Sequence, residues 1–384
     1  MKVTEAQVSR RDFLFGMLGR SSPTDNAAGG VPDVSPDSCE ARYGCRKCFA
    51  ACPAPGALEV RENSLFVSQK HCVRCGLCAG ICPVAAIQMP EMSERAYLEL
   101  LDALQNSPAP RKTLVITCSK DKVPHTPGIS VEQVPGIGVI GVRQLAMAAS
   151  TSINATIIYC PDGLCVGKER VKHAVDLIAS TNDTNLPVYY LEGPRVAARI
   201  EHIHNSTQKR ESAADLTATP WNNYVTAIEK ITAPDSPATG LAITDMRIAE
   251  SCTLCYACVD RCPHKAVKIE SGRLLFDSRN CTGCGYCGQI CPEHAITLLE
   301  MEGSIRLAER SVYRDDMVRC SKCNAEYTSA KMIRKVTATL RIGEIMPICP
   351  SCKEKGMYDS LFGNQSSKIT NQRKMHEVDA LKCE

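Results

Sequence analysis

Cysteine spacing constrains this chain more than any other feature of its sequence. Of the 24 cysteines among 384 residues, twelve fall into three runs of the form C-x2-C-x2-C-x3-C-P. Zinc sites and disulfides are the alternative interpretations, but neither accounts for three identical runs at this spacing. The runs are Cys72–Cys75–Cys78–Cys82–Pro83, Cys252–Cys255–Cys258–Cys262–Pro263 and Cys281–Cys284–Cys287–Cys291–Pro292.

This spacing suits a cubic iron–sulfur cluster. Thiolates at positions i, i+3 and i+6 of one loop can bind three irons of one cube, whereas the fourth cysteine of the run serves a neighbouring cube. The proline that follows fixes φ where the chain turns into a helix. Small residues such as Gly76, Gly283 and Gly285 allow backbone amides to approach the sulfides. The sequence therefore predicts clusters with all-cysteine coordination.

The cysteine-rich segments form an internal repeat. Each contains two cysteine motifs separated by a polar turn between two short apolar runs. In the first segment the run from Ala57 to Val67 predicts a hairpin that turns at Glu62 and Asn63. In the second, the corresponding turn falls at Ser271-Gly272. A duplication at this level of detail indicates that both segments serve the same purpose.

This pattern resembles the bacterial-type dicluster ferredoxin family in both segments. The resemblance implies two [4Fe–4S] clusters in each segment, four in the chain, with one ligand exchanged between the paired motifs. We call the four implied ligand groups sets 1 to 4. Set 1 is Cys39, Cys45, Cys48 and Cys82; set 2 is Cys72, Cys75, Cys78 and Cys52; set 3 is Cys252, Cys255, Cys258 and Cys291; set 4 is Cys281, Cys284, Cys287 and Cys262.

Set 1 departs from the family pattern at one position. Cys45, Cys48 and Cys52 keep the spacing, but the residue three positions before Cys45 is Arg42. Cys39 lies six positions before Cys45, so the loop carries three extra residues. If Cys39 does not reach the cluster, a [3Fe–4S] cluster or an open iron would result. This residue therefore separates pure electron transfer from possible catalysis.

Residues 91–204 alternate predicted strands and helices, which indicates a small α/β domain with a mainly parallel sheet. Cys118 and Cys160 each end a predicted strand, and Cys165 follows shortly before a helix. The arrangement is similar to the iron–sulfur delta subunit of methyl-viologen-reducing hydrogenases, although three thiols complete a [2Fe–2S] site only if His125 or another group joins. These cysteines are possible additional ligands or redox-active thiols. The spacing of Gly136–Gly141 is weakly similar to a dinucleotide fingerprint.

The last cysteine pattern consists of two C-x2-C pairs, Cys320 with Cys323 and Cys349 with Cys352. Two such hairpins can complete a tetrahedral metal site. Zinc is the favoured ion, and a rubredoxin-type iron is the alternative. The predicted fold is therefore α+β, with two ferredoxin-like dicluster modules flanking a small α/β domain and a C-terminal zinc-ribbon or rubredoxin-like knuckle.

The domain boundaries follow these patterns and the changes in composition between them. The predicted order is a flexible leader (1–38), dicluster module 1 (39–90), the α/β domain (91–204), a linker around one helix (205–247), dicluster module 2 (248–302), the four-cysteine knuckle (311–356) and a tail (357–384).

The leader contains Ser9-Arg10-Arg11-Asp12-Phe13-Leu14, which resembles the twin-arginine export signal. The apolar stretch after it is shorter than that of a usual signal peptide, so we expect an uncleaved segment and a cytoplasmic protein, with periplasmic export as the alternative. No apolar run is long enough for a membrane span. The net charge of +3 gives no argument for nucleic-acid binding.

The leading functional hypothesis is a relay subunit that passes electrons through four clusters to or from a partner oxidoreductase. That partner would be a hydrogenase, a molybdoenzyme or a flavoprotein, and we predict no catalytic residue in this chain. One alternative is an accessory or maturation protein, because the leader and module 1 resemble the ferredoxin-type accessory protein of periplasmic nitrate reductase. A zinc-ribbon regulator that senses redox state is the other alternative.

Overall fold

The computed structural model describes the chain from residue 30 to residue 357 with short gaps. The motif with twin arginines, His125 and the tail from residue 358 lie outside the described residues. The described ranges are 30–119, 123–124, 126–181, 186–194, 196–208, 214–233, 240–302, 307–341, 343 and 346–357.

Module 1 consists of two short helices and two antiparallel strand pairs. Strand β2 pairs with β3, and β1 pairs with β4. Because β1 lies within the predicted leader (1–38), module 1 begins before its predicted bound at residue 39. Glu62 and Asn63 have φ of 48° and 64°, as a two-residue hairpin turn requires, so the predicted hairpin is confirmed. The elements are β1 (Asp33–Val34), α1 (Lys47–Ala51), β2 (Leu58–Arg61), β3 (Ser64–Val67), α2 (Leu77–Ile81) and β4 (Ile87–Gln88).

The α/β domain contains a four-stranded sheet in which all strands are parallel, in the order β6-β5-β7-β8. Strand β5 is buried along its whole length, as its central Leu-Val-Ile run predicts. The elements are α3 (Glu94–Gln105), β5 (Thr113–Thr117), β6 (Ile129–Gln133), α4 (Val142–Ala149), β7 (Ala155–Cys160), α5 (Lys168–Ser180), β8 (Val188–Glu192) and α6 (Ala197–Ser206).

The helix expected inside the linker, α7 (Pro220–Ile231), packs into the protein core. Trp221, Tyr224 and Ile228 repeat at helical spacing and are all buried. The indole N–H of Trp221 donates to the carbonyl oxygen of Arg279 in module 2 at 2.7 Å. The Ser- and Pro-rich flanks predict a linker, whereas the helix between them joins the α/β domain to module 2.

Module 2 repeats the element order of module 1. Strand β9 pairs with β12, and β10 pairs with β11. Because β9 begins at Thr244, inside the predicted linker (205–247), module 2 begins before its predicted bound at residue 248. The turn at Ser271 and Gly272 has φ of 48° and 72°, so the second predicted hairpin is confirmed as well. The elements are β9 (Thr244–Ile248), α8 (Ala257–Arg261), β10 (Val267–Glu270), β11 (Arg273–Asp277), α9 (Tyr286–Ile290) and β12 (Ile296–Glu300).

The C-terminal region continues directly from module 2. Strand β13 (Glu309–Arg314) pairs with β11 and makes the hairpin a three-stranded sheet. A second hairpin, β14 (Met317–Arg319) with β15 (Glu326–Ser329), leads into α10 (Ala330–Leu340). Ser329 Oγ donates to the carbonyl oxygen of Thr253 at 2.7 Å. The knuckle region is therefore attached to module 2 along a sheet edge and at a helix start.

The largest hydrophobic core runs from module 1 through the α/β domain to α7. Module 2 has a core of its own, built around its cysteines and Phe276. A third cluster covers the other face of the parallel sheet. Among the described residues, no helix combines the length and the apolar character that crossing a bilayer requires.

Candidate metal centres

The cysteine loops owe their shape to residues with positive φ at equivalent positions. The residues two and four positions after the first cysteine of each complete run are left-handed, whether or not they are glycine. These residues are Arg74 (54°) and Gly76 (79°), Leu254 (50°) and Tyr256 (65°), and Gly283 (70°) and Gly285 (85°). Such a conformation costs a non-glycine residue free energy, so the packing around the loop must impose it.

In module 1, the four members of set 1 lie close enough to interact through their charges. Burial raises the pKa of Cys48 to about 12, and the other three members of the set, Cys39 included, add to this shift. The three extra residues form most of a 3-10 helix, Glu40–Tyr43, which Gly44 ends with φ of 90°. This compact turn brings Cys39 back toward Cys45.

Set 2 is assembled in the same way from both motifs of module 1. Burial raises the pKa of Cys78, and the charges of Cys75, Cys72 and Cys52 raise it further. Cys48 of set 1 contributes to the same shift. The two sets of module 1 are therefore neighbours.

In module 2, sets 3 and 4 show the same crossed arrangement. Burial and then the charges of the other three members raise the pKa of Cys258 in set 3 to about 12. The same causes raise the pKa of Cys287 in set 4 to about 12, and Cys258 of set 3 adds to that shift. These buried sulfurs are unfavourable as bare thiolates, and a bound cation would compensate their charge. The donor chemistry of all four sets therefore fits iron–sulfur clusters.

Backbone amides approach the exchanged cysteines at equivalent positions. The N–H of the residue four positions later donates to the sulfur of Cys82 (3.2 Å), Cys262 (3.3 Å) and Cys291 (3.4 Å). Hydrogen bonds of this kind stabilise thiolate ligands and tune cluster potentials. The internal repeat seen in the sequence therefore includes these hydrogen bonds to the sulfurs.

Modules 1 and 2 meet at sets 1 and 4. The carboxylate of Glu40, which is buried, accepts hydrogen bonds from Thr282 Oγ1 at 2.8 and 3.0 Å and contacts the ring of His264. Lys47 Nζ donates to the carbonyl oxygen of Thr282 at 2.8 Å. Burial raises the pKa of Cys284 in set 4 to about 11, with Glu40 and Cys45 of set 1 among the causes. We call the contacts of Glu40 with Thr282 and His264 the Glu40 clasp.

Two cysteine groups are more compact than the four sets. In each of them all sulfurs lie within 4.8 Å of one another, and none of the sixteen cysteines of sets 1 to 4 belongs to such a group among the described residues. Sulfurs that bind one ion crowd around it, whereas sulfurs that bind different irons are separated by the cluster. The compact groups are Cys320–Cys323–Cys349–Cys352 and Cys118–Cys160–Cys165.

The first compact group is the predicted C-terminal knuckle. Cys320 Sγ accepts hydrogen bonds from the backbone N–H of Cys349 at 3.3 Å and of Lys322 at 3.4 Å. The N–H of Cys349 in particular lowers the pKa of Cys320 to about 6, which favours the thiolate form that binds metal. The prediction that these four cysteines lie together is confirmed, whereas the identity of the ion stays a prediction.

The glycines of Gly136–Gly141 serve packing. A Cβ added at Gly138 would lie 2.5 Å from the carbonyl oxygen of Cys75, and one at Gly141 would lie 2.1 Å from that of Gly80. Although the segment lies between β6 and α4, it forms a 3-10 helix, and backbone of the set 2 loop packs against its glycines where a bound pyrophosphate would need the space. It lies against the loop of set 2, so the weak dinucleotide interpretation is wrong.

Comparison with known proteins agrees with these sites. Residues 244–292 match the family model of the 4Fe-4S dicluster domain, and residues 65–88 match that of the 4Fe-4S binding domain. A ferredoxin-like protein in the nif region of Azotobacter vinelandii is 34% identical over 70 residues, 17% of this chain and 67% of that protein. Ferredoxin-3 of Chlorobaculum tepidum is 37% identical over 57 residues, 13% of this chain and 92% of that protein. The chain belongs to the 4Fe-4S ferredoxin family.

Other relatives of this ferredoxin-family chain are parts of larger assemblies. One component of an ion-translocating oxidoreductase complex from Methanosarcina acetivorans is 46% identical over 46 residues, which are 12% of this chain and only 17% of that component. The chain thus carries ferredoxin-type 4Fe-4S domains for electron transfer, and its relatives include subunits of oxidoreductase complexes. Its resemblances to a nitrate reductase accessory protein and to a hydrogenase delta subunit stay predictions.

Proposed function

We propose that this chain is an electron relay with four [4Fe–4S] clusters, one bound by each of sets 1 to 4. Each set offers four thiols that are close enough to interact, in the crossed pattern of the family. A cluster with four thiolate ligands supplies one-electron transfer when bound, at a potential that its surroundings set.

The observation that carries this proposal is the order in which cysteines of different sets lie close enough for their charges to shift one another's pKa. Cys48 of set 1 acts on the pKa of Cys78 in set 2. Cys45 of set 1 acts on that of Cys284 in set 4, and set 3 acts on set 4 through Cys258. These contacts support a relay in the order 2–1–4–3, with its two ends in different modules.

The two ends of this relay differ in their surroundings. Set 2 lies against the glycine segment and α4 of the α/β domain. At the other end, Tyr256 follows Cys255 of set 3 directly and is 38% exposed. An exposed aromatic side chain beside a cluster ligand suits a docking surface for a redox partner. We infer that a partner oxidoreductase of the hydrogenase, molybdoenzyme or flavoprotein type exchanges electrons at this end.

Cluster content and reduction behaviour test the proposal. Protein purified without oxygen should contain about sixteen irons and an equal amount of acid-labile sulfide in the four sets. Stepwise reduction should give EPR spectra in which neighbouring clusters interact, and the isolated chain should show no turnover. A content of half this iron would refute the four-cluster relay. Tight binding of an apo-metalloenzyme without electron delivery would support the accessory role instead.

A further inference from the structure

Three thiols of the α/β domain converge at the carboxyl edge of its sheet. Strands β5 and β7 are parallel neighbours in which Thr117 lies opposite Tyr159. Cys118 follows Thr117 and Cys160 follows Tyr159, so the two cysteines leave the sheet side by side. The loop after Cys160 then returns Cys165 to the same place. Ligands of parallel sheets bind at this edge.

The spacing of these sulfurs suits a single metal ion. All three lie within 4.8 Å of one another, and the sulfurs of Cys118 and Cys165 are 3.4 Å apart. A tetrahedral zinc ion with bonds of about 2.3 Å holds its thiolates roughly 3.8 Å apart. The knuckle, a four-cysteine group typical of a single ion, is equally compact, whereas the sets with cluster spacing are wider. The three thiols are therefore arranged for one ion and not for a bridged iron–sulfur cluster.

The surroundings favour negative charge at this place. Cys160 is fully buried, and hydrogen bonds from the thiols of Cys118 and Cys165 lower its pKa, as do the backbone N–H groups of Cys165 and Gly163. Helix α5 begins at Lys168 directly after this loop, and the positive end of its dipole stabilises nearby thiolates. The same shared hydrogen bonds, followed by burial, raise the pKa of Cys118. A cation bound here would take the place of the two thiol protons and would compensate the charge of all three sulfurs.

We propose that Cys118, Cys160 and Cys165 bind one zinc ion through three thiolates, with the fourth ligand from outside this group. Zinc is the usual ion of tetrahedral thiolate sites that contain no sulfide. Cys118 is only partly buried, so this side of the site is open to solvent. Among the described residues three protein ligands converge here, and a zinc ion with three protein ligands and an open position is the form that binds a further ligand.

The site lies beside the relay. A Cβ added at Gly167, two residues after Cys165, would lie 2.6 Å from the side chain of Leu77, which stands between Cys75 and Cys78 of set 2. Because zinc has no redox chemistry of its own, electrons would stop at set 2. The zinc site would hold a ligand next to the end of the relay.

Metal analysis of the full chain, purified without oxygen, tests this site. We expect Cys160→Ala to lower zinc by about one ion per chain, with iron and sulfide unchanged. Cys118→Ser, at a more exposed position, should have the same effect if Cys160→Ala does not fold. Leu164→Ala is the matched control, because Leu164 is 45% exposed on the same loop and carries no ligand atom; its zinc content should equal that of the wild type.

A second measurement uses added Zn²⁺ alone as the probe. After a chelator has removed the bound zinc, added Zn²⁺ should slow the alkylation of Cys118 by iodoacetamide at least several-fold in the wild type but not in Cys160→Ala, as peptide mass spectrometry can follow. Iron and sulfide that fall together in Cys160→Ala would overturn the proposal in favour of an iron–sulfur cluster. Unchanged zinc in both cysteine variants would overturn it as well, and neither result would affect the four-cluster relay.

Discussion

Cys39 joins set 1 through the three residues inserted after it. The 3-10 helix Glu40–Tyr43 takes up the extra length, and the N–H of Gly44 donates back to the carbonyl oxygen of Ala41 at 3.0 Å. Cys39 is itself buried, and the charge of Cys45 contributes to its raised pKa after burial. The insertion therefore does not remove the cysteine from the set.

We predict that Cys39→Ala leaves a three-iron cluster in set 1. With one thiolate lost, iron should fall by about one of sixteen with sulfide retained, and the oxidised protein should gain a [3Fe–4S] EPR signal. Cys323→Ala in the exposed part of the knuckle is the control and should leave this spectrum unchanged. No change in iron would contradict the role of Cys39 as a ligand, and loss of a whole cluster would show that set 1 does not hold a three-iron cluster.

At the scale of single residues, the sequence predicts which cysteines lie together better than it predicts the side chains that surround them. The repeated spacing is sufficient to pair Cys82 with Cys48, because the family pattern fixes which loop meets which. Glu40 could not be predicted, since its partners Thr282 and His264 lie more than 200 positions away. The only sequence signal for this role of Glu40 is the insertion in which Glu40 lies. The left-handed conformations of Arg74 and Leu254 also have no signal in their residue type.

At the scale of elements, module 1 and the α/β domain are joined by a close backbone contact. Helix α2 lies against the segment Gly136–Gly141, and a Cβ added at Gly80 would lie 2.4 Å from the carbonyl oxygen of Gly138. The opposing atom is backbone and cannot rotate away. Glycines on both sides thus allow the set 2 loop to approach the α/β domain.

We expect Gly80→Ala to destabilise the protein, although alanine is the better helix residue. The helix preference is worth roughly 0.5–1 kcal/mol, whereas overpacking at a rigid contact costs about 1–3 kcal/mol. Chemical unfolding of the anaerobic protein would measure the difference. Gly343→Ala is the matched control, because nothing lies within 4 Å of its added Cβ. A Gly80→Ala protein as stable as this control would show that the two domains are not in close contact.

We expect the knuckle to be the element that depends most on a bound metal ion. None of the residues of α10 is buried, and its ion pairs Lys331–Glu250 and Lys335–Glu293 lie at the surface, where each contributes about 0–1 kcal/mol. We predict that a chelator which removes the knuckle ion abolishes amide-exchange protection in α10. Strand β13 should stay protected because it pairs with β11. If α10 stayed protected in protein that has lost the knuckle ion but kept its iron, the ion would be dispensable for this helix.

Elements with strong periodicity are predicted well, and those at edges are not. The sequence patterns predict strands at 113–117 and 155–159 and helices at 141–149 and 166–179. Strands β5 and β7 and helices α4 and α5 begin and end within two residues of these bounds, because they form the buried centre of the domain. Strand β6 is not predicted, since at the edge of the sheet its residues are only partly buried and its apolar pattern is weak. The Ser- and Pro-rich composition around α7 predicts a linker, although the apolar face of the helix packs into the core.

At the scale of the whole molecule, the Glu40 clasp decides how modules 1 and 2 meet. The Glu40 side chain is only 4% exposed and lies between Cys39 of set 1 and Thr282, which follows Cys281 of set 4. The rings of Tyr43 and Tyr286 pack nearby with centroids 5.2 Å apart. Gly44 approaches the side chain of Gln289 so closely that a Cβ would clash with it. The interface is therefore built largely from the insertion in the Cys39 loop.

We predict that Glu40→Ala weakens this interface and separates the halves of the relay. Thr282 and His264 would lose a buried partner, at a cost of about 1–3 kcal/mol in the free energy of unfolding, and the EPR interaction between clusters of sets 1 and 4 should decrease. Glu40→Gln keeps an acceptor for Thr282 and should restore most of both properties. Glu59→Ala is the control: that side chain is 56% exposed, and its loss should change stability by less than about 0.5 kcal/mol. If Glu40→Ala matched Glu59→Ala in stability and in cluster interaction, electrons would have to pass between the modules by a contact other than the Glu40 clasp.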